Sequence, residues 1–242
     1  MKPDPFRHHP NLRDRITPPE RSFFRDFGPE KARAAMARHG VGDGFPFHTD
    51  AEREALRAEA LSGHAGDLWI FAYGSLIWDP ALDFAEVRRA RAAGHARQMI
   101  LVDTYGGRGT AERPGLMAAL DDGPGCDGLV FRIAAEKVEG ETAILFQREM
   151  IGPGYLARFV PVVIDGREHR ALTFLADHDD PLMRPDITRE EQVRYLSTGE
   201  GFLGTSADYL RNVVAHLHEM AIPDANLDAL LAETEAEIAR IG

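Results

Sequence analysis

One carboxylate lies where a predicted helix calls for an apolar side chain. Residues 134–150 predict a helix, and one face of it carries Val138, Thr142, Leu145 and Glu149. Burial on that face and a position near the helix C-terminus would both raise the pKa of the carboxyl of Glu149. A carboxylate that titrates nearer neutrality suits general base catalysis. The sequence therefore indicates Glu149 as a candidate base. The alternative is a glutamate that is exposed at the helix end or ion-paired with Arg148.

A short turn follows the first predicted strand and could hold an anion. This 73–76 turn consists of Tyr73, Gly74, Ser75 and Leu76. Because Gly74 has no Cβ, a ligand can approach the backbone closely, and successive amides can form an anion-holding nest. An ordinary strand-ending turn is the alternative. Ser75 is a possible nucleophile, but the absence of a G-x-S-x-G elbow disfavours a serine hydrolase.

Residues 105–115 predict a glycine-rich loop between strands, and this loop carries Arg108 and Arg113. Such a loop can close over a ligand while an arginine grips a carboxylate with two hydrogen bonds. A solvated hairpin that binds nothing fits the same composition. The sequence leaves both interpretations open.

Two other patterns argue against cofactor and metal sites. Gly199, Gly201 and Gly204 match G-x-G-x-x-G, but the pattern follows a predicted helix, so we interpret it as a loop between helices. The ten histidines show neither H-E-x-x-H nor zinc-type Cys/His spacing. We therefore expect no metal and no dinucleotide site.

Composition limits the classes of partner. The net charge of −11 over 242 residues disfavours nucleic acid. The single cysteine, Cys126, cannot form an internal disulfide, which favours a reducing compartment. No apolar run approaches the roughly 18 residues of a membrane span, and the first residues lack a signal-peptide pattern. We expect a cytoplasmic protein with no nucleic-acid or membrane partner.

The order of the predicted elements indicates an α+β fold. Strands are predicted at 68–73, 98–103, 116–120, 128–133, 159–164 and 169–175, and the helix carrying Glu149 interrupts this series. Further helices are predicted at 189–196, 206–220 and 226–241. About six strands can close into a small mixed β-barrel flanked by helices.

Residues 1–66 predict a helical N-terminal extension packed on the main domain. Their net charge is +1 against −12 for the rest of the chain, which supports a boundary near residues 63–67. Thr17 and Glu20 have capping-box spacing, and helices are predicted at 30–39 and, capped by Asp50, at 51–61. The expected docking residues are aromatic: Phe23, Phe24, Phe27, Phe45 and Phe47. The predicted domains are 1–66, a catalytic domain at 67–222 and a C-terminal helix at 223–242.

Several separated motifs, taken in order, resemble one family. They are the YGSLIW of residues 73–78, the RGT of 108–110 with the ERPGL of 112–116, the GCDG of 125–128, the REM of 148–150 with the GY of 154–155, and the YL-x-N of 209–212 with the HL of 216–217. The chain resembles the ChaC-like γ-glutamylcyclotransferases over roughly residues 68–222. It departs from the family pattern at Phe146, where the family usually has Trp, and at Ser206, where it has Asn.

The resemblance implies an activity and a set of site residues. It implies a small mixed barrel and cyclisation of the γ-glutamyl group of glutathione to 5-oxoproline, with release of Cys-Gly and without a cofactor. Glu149 would be the catalytic residue, and substrate would be bound by the 73–76 turn, Arg113, Tyr155 and Tyr209. We expect a monomer or weak homodimer. Another γ-glutamyl donor, or a non-catalytic module that binds γ-glutamyl metabolites, remains the alternative.

Overall fold

The computed structural model describes residues 3–242, which form two compact units. The first unit comprises the described residues up to 29 together with 47–97 and 120–175. The second comprises 30–46, 98–119 and 176–242. No helix among residues 3–242 has the length and apolarity needed to cross a membrane.

Nine strands and six α-helices make up the regular structure of the described residues. The strands are β1 Leu68–Ala72, β2 Glu86–Ala92, β3 His95–Tyr105, β4 Thr110–Asp122, β5 Cys126–Ile133, β6 Tyr155–Ile164, β7 Arg167–Ala176, β8 Glu200–Gly201 and β9 Gly204–Thr205. The helices are α1 Pro29–Arg38, α2 Asp50–Ala60, α3 Val138–Glu149, α4 Arg189–Thr198, α5 Ser206–Glu219 and α6 Ala225–Ile241.

A closed five-stranded barrel forms the centre of the first unit. The strand order is β1-β5-β2-β6-β7, and a parallel pairing of Ile70 with Leu172 joins β7 back to β1. The pairs β1–β5 and β2–β5 are antiparallel, so the barrel is mixed. The predicted α+β fold with a small mixed barrel flanked by helices is confirmed.

Alternate residues of the barrel strands form its apolar interior. The buried cluster includes Phe71, Val130, Val160, Val162 and Ala171, which come from four different strands. Thr173 is the polar member of the β7 series, and its hydroxyl donates to the carbonyl of Phe71 at 3.0 Å. The barrel interior, whose buried hydroxyl is hydrogen-bonded, fixes strands β1 and β6. The predicted site residue Tyr73 follows the end of β1, and Tyr155 begins β6.

Strand β2 was not predicted, and its composition explains why. Its sequence EVRRARA holds three arginines and two alanines, residue types that favour strands weakly. The barrel decides its conformation, because β2 pairs with β5 from Glu86 opposite Arg132 to Ala92 opposite Cys126. The carboxylate of Glu86 is buried and binds Arg132 and Arg88 at 3.0 Å each, which compensates the charges on this strand.

The N-terminal residues correct three of the predictions. The capping box at Thr17 is wrong: residues 19–26 form two short 3₁₀ turns, and the first has no side-chain cap. Helix α2 is capped by Thr49, whose hydroxyl accepts from the amide of Glu52, and Asp50 is its first residue. Phe23 is 63% exposed and therefore is not a docking contact.

Helix α2 packs on helix α3 through a buried arginine. The guanidinium of Arg57 donates to Glu139 at 3.0 Å and to the hydroxyl of Thr142 at 3.1 Å, and it also pairs with Glu54. Part of the N-terminal extension is thereby attached to the helix that carries Glu149. The predicted division into domains 1–66, 67–222 and 223–242 stays a prediction.

The second unit contains the β3–β4 hairpin and the last three helices. Strand β3 reaches Tyr105 and β4 begins at Thr110, so the predicted 105–115 loop is shorter than expected and its second half is strand. The pattern at 199–204 forms the small β8–β9 hairpin between α4 and α5. The amides of Phe202 and Leu203 donate to the carbonyls of Gly106 and Gly107, which fixes the tip of the β3–β4 hairpin.

Candidate active site

Helix α3 places Glu149 at its final residue. The inner face of the helix is buried at Thr142, Leu145 and Phe146, as the apolar spacing predicts. The helix ends because Met150 leaves the helical conformation, and Gly154 with φ of +110° then turns the chain into β6. The side chain of Glu149 is 18% exposed, so it is largely buried but still accessible to solvent.

Two opposing effects set the protonation of Glu149. Burial disfavours the charged form and raises the pKa of the carboxyl, whereas the neighbouring charge of Arg148 lowers it. Burial is the larger effect, so the pKa of Glu149 lies above its ordinary value. The ion pair offered as an alternative does exist, with Arg148 Nε 2.8 Å from Glu149 Oε1, but it only partly offsets the desolvation.

Arg148 connects Glu149 to the 73–76 turn. Its side chain is only 6% exposed. One terminal nitrogen donates to the hydroxyl of Ser75 at 2.7 Å, and the other donates to the carbonyl of Asp79. The guanidinium carbon lies over the Phe24 ring, 4.0 Å from its centre. The sequence identified Arg148 only as a possible ion partner, and its neighbour relation to Glu149 was the available signal.

The 73–76 turn is fixed at both ends by arginines. Tyr73 follows β1 and is buried, and its carbonyl accepts a hydrogen bond from the buried Arg97. Gly74 then leads into a 3₁₀ turn at Ser75–Ile77. The first amides of a helical turn have no acceptor within that turn, so they are available to an anion. Because the hydroxyl of Ser75 accepts from a guanidinium, Ser75 is positioned as an anchor and not as an activated nucleophile.

Tyr155 opens strand β6, six residues beyond Glu149. It is half-buried and lies in the same unit as Glu149 and the 73–76 turn. The other two predicted substrate contacts, Arg113 and Tyr209, lie in the second unit. Arg113 is exposed on β4, with its amide donating to the hydroxyl of Thr110 at 3.3 Å.

Within the second unit, Arg108 has the environment of an anion-binding side chain. Its guanidinium lies 5.5 Å from the centre of the Tyr209 ring and donates to the carbonyl of Thr205 at 3.3 Å. Burial lowers the pKa of Arg108, and no carboxylate within the described residues forms a salt bridge with it. The hydroxyl of Tyr209 accepts from the amide of Ala118 at 3.3 Å.

The two departures from the family pattern are both structural. Phe146 is buried, and its ring meets that of Phe174 edge-on at 5.6 Å, so it fills core volume. Ser206 is fully buried, and its hydroxyl both accepts from and donates to the backbone of Leu116, at 2.6 and 3.0 Å. Phe146 has no hydrogen-bonding group in its side chain, and the hydroxyl of Ser206 is buried against the backbone of Leu116.

No cluster of three or more potential metal ligands occurs among residues 3–242. What the first unit does provide is a largely buried carboxylate of raised pKa, joined through one arginine to a turn with available amides. A carboxylate of raised pKa binds a proton more tightly than an ordinary glutamate, which suits a group that takes up a proton and returns it. The turn can hold a carboxylate or a developing oxyanion.

Comparisons with known proteins agree on one family. Residues 68–238 match the family model described as ChaC-like protein. A glutathione-specific γ-glutamylcyclotransferase from Escherichia coli K12 is 35% identical over 175 residues, which is 72% of this chain and 75% of that protein. A glutathione-specific γ-glutamylcyclotransferase 1 from Homo sapiens is 28% identical, over 83% of this chain and 92% of that protein.

A solved structure shares the fold. The crystal structure of a γ-glutamyl cyclotransferase specific to glutathione from yeast has a TM-score of 0.63 at 20% identity. The match covers 72% of this chain and all of that one. At this level of identity the likeness establishes the fold alone.

Proposed function

Because this chain belongs to the ChaC-like protein family, we propose that it is a glutathione-specific γ-glutamylcyclotransferase. It is an enzyme of the lyase class that converts glutathione to 5-oxoproline and Cys-Gly, a step in glutathione catabolism. The observation that carries the proposal is Glu149, a largely buried carboxylate of raised pKa tied through Arg148 to the 73–76 turn.

The reaction is intramolecular, which explains the residues it requires. The α-amino nitrogen of the γ-glutamyl group attacks its own γ-carbonyl carbon, a C–N bond forms, and the amide bond to cysteine breaks. The five-membered lactam and the free amine of Cys-Gly are the products. The substrate supplies the nucleophile, and no electrons are transferred, so the step needs neither an enzyme nucleophile nor a redox cofactor. Holding the γ-glutamyl arm in a reactive conformation is worth about 7–11 kcal/mol at best.

Glu149 moves the protons. Its carboxylate removes a proton from the substrate ammonium, which makes the nitrogen nucleophilic, and the resulting carboxylic acid protonates the departing nitrogen. The second proton that the attacking nitrogen loses as the C–N bond forms is taken up by the amine of Cys-Gly, which leaves as an ammonium. A raised pKa suits both roles, because the group must exist in both forms near neutral pH. General acid–base catalysis of this kind contributes about 10²–10⁴-fold.

The substrate contacts are part of the proposal. Amides of the 73–76 turn hold the α-carboxylate of the γ-glutamyl group or the oxyanion that develops on the γ-carbonyl. Tyr155, Tyr209 and Arg113 are proposed as further substrate-binding residues. Burial of the Arg108 guanidinium beside Tyr209 makes it a better candidate than the exposed Arg113 for binding a carboxylate.

The cellular setting follows from composition. We place the enzyme in the cytoplasm, acting without a nucleic-acid or membrane partner, because the chain is acidic and has a single, buried cysteine. We propose a monomer or weak homodimer. Large apolar side chains that are more than a third exposed are few within residues 3–242: Phe23, Val163, Leu203 and Ile241.

The test is incubation of the purified protein with reduced glutathione, with 5-oxoproline and Cys-Gly measured by mass spectrometry. The wild type should release both products in equal amounts, and Glu149→Gln should release neither above background. Turnover of other γ-glutamyl amides but not glutathione would overturn the substrate assignment. Binding of glutathione without product would overturn the enzyme assignment.

A further inference from the structure

The aromatic face of Phe24 covers the guanidinium that contacts Glu149. Phe24 lies in the N-terminal extension, outside the residues 68–238 that match the family model. Arg148 lies 4.0 Å from its ring centre and uses its edge nitrogens for Glu149, Ser75 and Asp79. The guanidinium carbon thus lies over a ring of the extension, while the guanidinium nitrogens contact the active-site region.

The segment around Phe24 is attached on both sides, so its ring is fixed relative to Arg148. Before it, the amide of Thr17 donates to the carbonyl of Trp78 at 2.7 Å. After it, Arg25 donates to the carbonyl of Ala81 at 2.8 Å and pairs with Glu141 of α3. These contacts join the segment to the same two elements that Arg148 bridges, namely the chain following the 73–76 turn and helix α3.

Phe24 also belongs to an aromatic cluster that restricts its ring. Its ring meets those of Phe23 and Phe27 edge-on, at centroid distances of 5.4 and 5.8 Å. The hydroxyl of Ser22 accepts from the amide of Phe24 at 3.1 Å and caps the short turn that carries it. The neighbouring rings therefore restrict the motion of Phe24, whose face lies against the cation.

We propose that Phe24 is a positioning residue for the cyclisation, acting through Arg148 on Glu149 and Ser75. This inference rests on the proposed function of the site. The extension thereby serves the catalytic geometry directly: its ring restricts the guanidinium to the position in which one nitrogen faces the base and another faces the 73–76 turn. Without the ring, Arg148 gains freedom to leave that position, and both contacts loosen together.

The test compares Phe24→Leu with Phe24→Tyr and with a matched control. Leucine keeps apolar volume but removes the π face, and tyrosine keeps the face. Phe6→Leu is the control, because Phe6 is also half-buried in the extension and lies against a cation, Arg13, at 5.0 Å, but it packs on Phe84 and not on Arg148. We expect Phe24→Leu to lower kcat for glutathione about tenfold with little change in KM, and Phe24→Tyr and Phe6→Leu to remain within about twofold of wild type.

The pH profile gives a readout that a loss of packing alone would not move. On the acidic side of the profile, the fall in kcat/KM follows protonation of the base. Arg148 lowers the pKa of Glu149, so a weaker contact between Arg148 and Glu149 should raise that pKa. In Phe24→Leu the fall in kcat/KM should therefore occur at higher pH than in wild type. Other charged or titratable groups on the surrounding elements include Arg25 with Glu141, Asp26, Asp79, Asp83, Glu139 with Arg57, and His48, whose ring lies 3.2 Å from the carbonyl of Met150. None of them is substituted in these variants.

A measurement independent of turnover separates this inference from the proposed function. The Nε–H proton of Arg148, assigned in ¹⁵N NMR spectra with Arg148→Lys, should exchange with water at least about tenfold faster in Phe24→Leu than in wild type or Phe6→Leu. An unchanged exchange rate in a folded Phe24→Leu protein would overturn the positioning role, whether or not glutathione is the substrate. Faster exchange in an enzyme inactive on glutathione would support the role and overturn the substrate assignment.

Discussion

The two ends of helix α3 carry two carboxylates that are both largely buried but differ in how many hydrogen-bond donors surround them. Glu141, near the start, has a side chain 8% exposed and accepts from both terminal nitrogens of Arg25 and from the amide of Asp83 at 2.9 Å. Glu149, about 12 Å further along the axis, is 18% exposed, and its one contact within residues 3–242 is to Arg148. Glu141 is saturated with donors, and Glu149 is left with unused acceptor capacity.

The difference is the one expected between a structural carboxylate and the proposed base. Three hydrogen-bond donors bind the carboxylate of Glu141, which holds the Arg25 side chain and the amide of Asp83 in place. Glu149 is buried without that compensation, so its pKa is raised. Burial alone therefore does not identify a candidate base. A buried carboxylate whose hydrogen bonding is incomplete is a better candidate, because its remaining lone pairs can accept from a substrate.

The largest expected effect is on the activity of Glu149→Gln. The amide cannot accept and return a proton, so kcat for glutathione should fall by about 10²–10⁴-fold or more. Because glutamine removes an incompletely compensated charge, the melting temperature should stay the same or rise. The measurements are 5-oxoproline release and thermal unfolding on the same preparation. Substantial residual turnover would show that the two carboxylates differ for some reason other than catalysis.

Glu141→Gln should give the reverse pattern. It leaves the guanidinium of Arg25 without its carboxylate partner, and we expect a loss of about 2–3 kcal/mol in the free energy of unfolding. Activity measured well below the melting temperature should stay within a few-fold of wild type. Denaturant unfolding and initial rates measure the two quantities. A variant of unchanged stability would mean that the Arg25 pair contributes nothing net.

The two arginine partners sharpen the comparison further. Lysine keeps the charge of either residue but loses the planar fork. Arg148→Lys should lower kcat/KM by about tenfold, because one ammonium cannot contact Glu149, Ser75 and Asp79 together. Arg25→Lys should instead lower stability by about 1 kcal/mol and lower kcat/KM by about twofold at most, because the ammonium still pairs with Glu141 and keeps the Phe24 segment attached. Equal kinetic effects in the two variants would contradict the separation of roles.

The smallest expected effect is on the pH dependence of stability. The pKa of Glu149 is higher in the folded than in the unfolded state, so the folded state binds its proton more tightly. The ionised carboxyl lowers the free energy of unfolding. This destabilisation is absent below the pKa of the unfolded state and is complete once the pH has risen through the pKa of the folded state. Its full size is about 1.4 kcal/mol for each unit by which the two pKa values differ. The stability of Glu149→Gln relative to wild type should therefore increase from pH 4 to pH 8. A constant difference would mean that the carboxyl titrates normally.

Local patterns in the sequence determined several parts of the site. The spacing of apolar residues placed Glu149 on the inner face of a helix, and the glycines after it placed the helix end, because periodicity and termination are short-range properties. The motifs from residue 73 to 217 indicated the family that the comparisons then established. The roles assigned to Tyr155, Arg113 and Tyr209 stay predictions.

Tertiary structure alone decided how those parts are joined. Strand β2 forms despite its arginines, because β5 and β6 supply its partners and Glu86 supplies counter-charge. Similarly, no spacing in the sequence connects Phe24 to Arg148 or Arg25 to Glu141, which are separated by more than a hundred residues. A residue's hydrogen-bond partners depend on contacts between distant segments, and those partners distinguish the fully hydrogen-bonded Glu141 from Glu149, the proposed base. The sequence identifies the carboxylates, and the fold decides which hydrogen-bond donors each of them meets.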